Sequence, residues 1–96
     1  MIYGVLRVEI RLNSTYSLKD KRSILRKQIE RVRNAFHVSI HEVGDHDLLG
    51  NATVGVAVAG SDAVQVENVI QSILRMIEEN PEMEVYDSVI LVEHFK

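Results

Sequence analysis

An α+β fold, with four strands in one antiparallel sheet and two helices, is what this 96-residue chain predicts. Three observations lead there. Residues 2–12 alternate apolar and polar with a period of two; two later segments repeat at the helical period, each with its own start signal; and a hairpin and a final β-rich run supply the remaining strands.

The first element, "IYGVLRVEIRL", sets Ile2, Leu6, Val8, Ile10 and Leu12 on one face and Tyr3, Val5, Arg7, Glu9 and Arg11 on the other. It reads as a strand with one wet side. Gly4 falls on the apolar face, where a missing side chain would admit a neighbouring backbone. The stretch "SLKD" then reads as a capping box: the Ser17 hydroxyl accepts from the Asp20 amide, and the Asp20 carboxylate reaches back to the Ser17 amide. From Leu18 the apolar positions 25, 29, 32 and 36 return to nearly one azimuth, a narrow core stripe.

Beyond Phe36, "HVSIHEV" turns Val38 and Ile40 inward and His37, Ser39 and His41 outward. The turn "DHDLLG" leads to "ATVGVAV", with Val54, Val56 and Val58 on one side, so the pair is a hairpin with a six-residue connection. The second helix begins in "GSD", carries apolar residues at 66, 69, 70, 73, 74 and 77, and stops at Asn80 before Pro81. "EVYDSVILVEHF" closes the chain as the fourth strand.

The order is therefore βαββαβ over residues 1–96, one domain with no internal linker. That is the ferredoxin-like split βαβ arrangement, and right-handed crossovers place both helices on one face of the sheet. The opposite face would carry Tyr3, Val5, Arg7, Glu9 and Arg11, outward His37, Ser39 and His41, and the small row Thr53, Gly55, Ala57 and Ala59. This reading makes it open, mixed and shallow, without large apolar residues. A monomer or a homodimer is expected.

Charge is distributed unevenly. Residues 1–36 hold nine basic and three acidic side chains and residues 37–96 hold two and eleven, although the net formal charge is only -3. Seven of the eleven Lys and Arg lie in "SLKDKRSILRKQIERVR", residues 17–33. On the helical wheel Arg22, Arg33, Arg26 and Lys19 fall about 40, 60, 80 and 100° from the centre of the apolar stripe, all on one side. Lys21 falls on the opposite flank, and Lys27 and Arg31 on the back. The ridge suits an anionic partner, although Arg26 and Glu30 also stand at i, i+4, where they would support the helix.

The "SLKDKR" helix start, the "F.VS..EV" strand and the following "ATVGVAVAGSD" resemble the YlxP family of small bacterial proteins over essentially the whole chain. The resemblance implies a ferredoxin-like fold and a cytoplasmic bacterial protein. The family has no assigned function, so no catalytic residues come with it. Its genes often lie near those for translation initiation factor two and ribosome-binding factor A, which implies an association with RNA handling or ribosome assembly.

Several chemistries are disfavoured by what the residues lack. There is no cysteine, so thiol catalysis, disulfides and thiolate metal sites are excluded, and no Gly-x-Ser-x-Gly turn or glycine-rich phosphate loop is present. "HVSIHEVGDHD" gathers three histidines and three carboxylates, but His37 and His41 on one strand face stand about 13 Å apart, too far for one ion. No metal, cofactor or catalytic residue is expected, and binding is preferred to catalysis. No apolar run approaches the roughly 20 residues of a membrane span. RNA held as in an RNA-recognition motif is disfavoured too, because the third strand shows Thr53, Gly55, Ala57 and Ala59, leaving Tyr3 as the one aromatic on the central strands.

Two functional expectations follow. RNA or a ribosomal particle would be held through phosphate contacts to Lys19, Arg22, Arg26 and Arg33, with Arg7 and Arg11 nearby. Alternatively, the chain is a dimeric small-molecule-sensing or scaffolding module resembling ACT domains, which share the βαββαβ order. Its ligand would then sit at the first strand-to-helix loop, on Asn13, Ser14, Thr15 and Tyr16.

Overall fold

The computed structural model describes residues 1–13 and 16–96. Six elements follow the expected order: β1 (Ile2–Leu12), α1 (Leu18–Phe36), β2 (Ser39–Gly44), β3 (Asn51–Gly60), α2 (Ala63–Glu78) and β4 (Met83–His94). The sheet runs β2-β3-β1-β4 with every neighbouring pair antiparallel, so each βαβ unit is split by a strand of the other. The ferredoxin-like α+β fold expected from the pattern is the fold observed. No helix among the described residues is long and apolar enough to cross a membrane.

The core lies between the sheet and the helices. From β1 come Leu6, Val8, Ile10 and Leu12, from β3 Ala52, Val54 and Val56, and from α2 Val66, Ile70, Ile73 and Ile77. Gly4 sits under α2: a Cβ there would strike Ile70 Cδ1 and come within 2.8 Å of Val66 Cγ1. The close neighbour is thus a pair of helix side chains and not the backbone expected. α2 starts at Asp62, whose carboxylate accepts from the amides of Val64 and Gln65 at 2.8 and 3.1 Å.

α1 differs from its expected form in two ways. The Ser17 hydroxyl accepts from the Asp20 amide at 3.1 Å, but the returning carboxylate takes the amide of Tyr16 at 3.2 Å and not that of Ser17. The buried line is Lys21, Leu25, Gln28 and Val32, while Leu18, Ile29 and Phe36 are only half-buried. Relative to the apolar stripe the helix is turned by about 50° toward Lys21. The reason is polar: Lys21 and Gln28 both find partners inside. Lys21 Nζ donates to the carbonyls of Asp45 and Leu48, the latter at 2.7 Å, and lies 3.1 Å from the Glu42 carboxylate. Gln28 Oε1 accepts from Asn80 Nδ2 at 2.6 Å.

Two register shifts decide what the open face carries. In β4 the core-facing residues are Met83 and Val85 before the shift opposite Glu9 and Ile10, then Ile90 and Val92 after it. Tyr86 is the extra residue, and the shift turns Val89 and Leu91 outward. A second shift between Glu42 and Gly44 leaves Val43 unpaired, with Cγ1 3.0 Å from where a Cβ of Gly55 would stand. The open face is therefore more apolar than the alternation indicated, because Val43, Val89 and Leu91 join Val5 on it. His37 does not extend β2: it caps α1 in the left-handed region, with φ 50°, and its amide donates to the Arg33 carbonyl.

Candidate nucleic-acid interface

The basic ridge faces a groove. Between the exposed side of α1 and the free edge of β2 lies a concavity of about 340 Å³, lined by Arg22, Leu25, Arg26, Ile29, Arg33, His41, Glu42 and His46. The turning of α1 creates it. With Lys21 and Gln28 inside, the arginines move away from the core, and half-buried Ile29 becomes part of the wall.

Electrostatics follow from which charges are already matched. Among the described residues Arg22 and Arg26 make no ion pair, so the expected Arg26–Glu30 pair is not formed. Arg33 is held in place: its Nη2 donates to the Ile40 carbonyl at 2.7 Å and stands 3.4 Å from His41 Nδ1. His46 Nε2 lies 3.2 Å from the Glu42 carbonyl oxygen. Glu42 is the one carboxylate in the lining, and Lys21 faces it from beneath. Three guanidiniums and two imidazoles thus share a wall whose negative charge is already opposed, a field that draws anions.

The remaining expected site residues lie elsewhere. Lys19 is exposed on α1 outside the groove lining. Arg7 and Arg11 occupy the opposite face of the sheet and are paired, Arg7 with Glu9 at 3.4 Å and Arg11 with Glu84 at 3.6 Å, the Arg11 guanidinium also 4.9 Å from the centre of the Tyr86 ring. The structure does not bring them to the ridge. Of the alternative ligand set, Asn13 and Tyr16 are exposed, whereas Ser14 and Thr15 lie outside the described residues. No group of three or more His, Cys, Asp or Glu among the described residues is placed to hold a metal ion.

His41 and His46 were not readable as neighbours of the arginines. His41 reads as an outward strand residue and His46 as part of a turn, and nothing in their spacing points to α1. Packing of the β2 edge beside the helix joins them.

Known proteins supply the family. Residues 3–90 match the family described as "Protein of unknown function (DUF503)". The chain belongs to the DUF503 family. A relative, "Uncharacterized protein YlxP" of Bacillus subtilis (strain 168), is 37% identical over 81 residues, covering 84% of this chain and 88% of that protein. The likeness drawn from the "SLKDKR" helix start is thereby shown. Among solved structures, the "De novo designed protein Ferredog-Diesel" covers 94% of this chain and 84% of its own at 23% identity, with a TM-score of 0.40.

Proposed function

We propose that this DUF503 chain acts by binding and not by catalysis, and that its partner is RNA, free or within a ribosomal particle, held by its phosphates in the groove between α1 and β2. One observation carries the reading: Arg22, Arg26 and Arg33 converge on a single groove, with Arg22 and Arg26 free of ion pairs among the described residues. Guanidiniums are suited to phosphate because their planar fork makes two parallel hydrogen bonds. Lys19, one turn before Arg22, extends the track. Arg7 and Arg11 take no part.

The three groove arginines, with Lys19 as a fourth cation, imply weak selectivity and a slope of log affinity against log salt of about -2 to -4. The test is a fluorescence-anisotropy titration of ribosomal RNA fragments at several salt concentrations. Binding at low salt that weakens tenfold or more in Arg22→Glu with Arg26→Glu supports the reading. No binding at low salt, or binding indifferent to the two substitutions, overturns it.

The sensing-module reading has less behind it, since Asn13 and Tyr16 line neither this groove nor the depression on the open face. A thermal-shift screen of amino acids tests it directly; a midpoint raised by one of them would revive it.

A further inference from the structure

The sheet face turned away from the helices is the least explained surface of the molecule. Val5, Val89 and Leu91 are 37, 47 and 47% exposed there, and Val43 is 55% exposed. They surround a depression of about 430 Å³ floored by Gly55, Ala57 and Ser39.

The face has two unlike halves. On the β1–β4 half the side chains are tall: Val5 beside Leu91 in one cross-strand row, and Arg7 beside Val89 in the next. Directly across the seam, the β3–β2 half continues the same rows with Ala57 and Ser39, then Gly55 and His41. One half is a ridge and the other largely a trough, and both belong to one chain. Such a surface complements a rotated copy of itself, as a two-fold interface requires.

We propose that a second copy of this chain covers the open face, related by a two-fold axis that runs parallel to the strands along the β1–β3 seam. That operation sets β1 and β4 of each copy over β3 and β2 of the other. Val5 then lies over Ala57 of the second copy, Leu91 over its Ser39, and Val89 over its His41. In the two rows of the depression no like charges oppose each other, since Arg7 meets Gly55 and Val43. The next row, where Glu9 and Asp87 would face Thr53 with Asp45 beside it, is acidic in both copies and sets the limit of the interface on that side. An axis across the strands would stack β1 on β1 and β4 on β4, tall half on tall half.

Area supports a second copy as well. Four strands about 4.8 Å apart and some seven residues long make a face of about 19 by 23 Å. With corrugation, two such faces bury on the order of 1,000 Å², the lower limit for a specific interface, so the dimer should dissociate on dilution. The basic grooves would lie on opposite outer edges of the pair, each beside its own β2. The inference does not depend on RNA being the groove's partner.

Sedimentation equilibrium of the full chain should show a monomer–dimer equilibrium, weakened at least tenfold by Leu91→Glu while the circular dichroism spectrum is kept. The axis is tested by cross-linking, made clean because the chain has no cysteine. Ser39→Cys and Leu91→Cys chains are mixed and treated with a short bismaleimide. A covalent heterodimer is expected from the mixture and little from either variant alone, since like positions would stand about 14 Å apart across sheets that are themselves about 10 Å apart. A chain monomeric at all concentrations overturns the proposal and leaves the face to a ligand or another protein. A dimer insensitive to Leu91→Glu, or one linked by Leu91→Cys alone, overturns it as well.

Discussion

The two helices lie on the same sheet but are held there by different chemistry. α2 buries Val66, Ile70, Ile73 and Ile77, an all-apolar line against β1, β3 and β4. α1 buries Lys21 and Gln28 with Leu25 and Val32, and packs toward the β2 edge. Hydrophobic burial is non-directional, so α2 needs only the right area in contact. A buried ammonium needs partners at definite positions, and Lys21 takes them from Asp45, Leu48 and Glu42 in and beside the β2–β3 turn. The polar seam therefore fixes the rotation of α1, and with it the direction in which Arg22, Arg26 and Arg33 point.

Substitutions can break or sharpen this contrast. The largest effect belongs to α2: Ile73→Ala, at a fully buried site, should lower stability by about 3–4 kcal/mol in urea unfolding. Lys21→Ala should cost about 3 kcal/mol, because it strands the Glu42 carboxylate and two carbonyls. The pair Lys21→Met with Glu42→Leu should recover about half of that loss, since no carboxylate is then left alone, while the Asp45 and Leu48 carbonyls still lack the Lys21 donor. If the double variant stays as unstable as Lys21→Ala, the seam is not held by charge pairing and the contrast between the helices fails.

Smaller effects sharpen it. Removing either cap, Ser17→Ala on α1 or Asp62→Ala on α2, should cost about 1 kcal/mol by the same measurement, because both helices begin with the same chemistry. Arg22→Glu with Arg26→Glu should change stability by no more than about 0.5 kcal/mol, as neither arginine makes an ion pair among the described residues. A large loss of stability there would mean that the arginines hold α1 in place and do not wait for a partner.

Much of this molecule was legible from local pattern. Alternation located β1, the caps located both helix starts, and Asn80 before Pro81 marked where α2 stops. The basic ridge was legible too, because residues spaced three, four and seven apart share a helix face wherever that helix is placed. Its full setting was not. β4 reads as a near-continuous apolar run, "VILV", and only the shift at Tyr86 determines that Val89 and Leu91 face outward. Glu42 and Lys21 lie far apart in sequence, and each alone reads as an ordinary surface charge.

The chain's own residues determined which elements form, in what order, and that four cations share one side of α1, because these depend on interactions between near neighbours. Tertiary packing decided the rest: how far α1 turns, which imidazoles join its arginines, and which side of the sheet carries the surplus valines and Leu91. Those outcomes depend on strand register and on the placement of buried charge. Both are set by partners tens of residues away, and a period read along the chain carries no record of them.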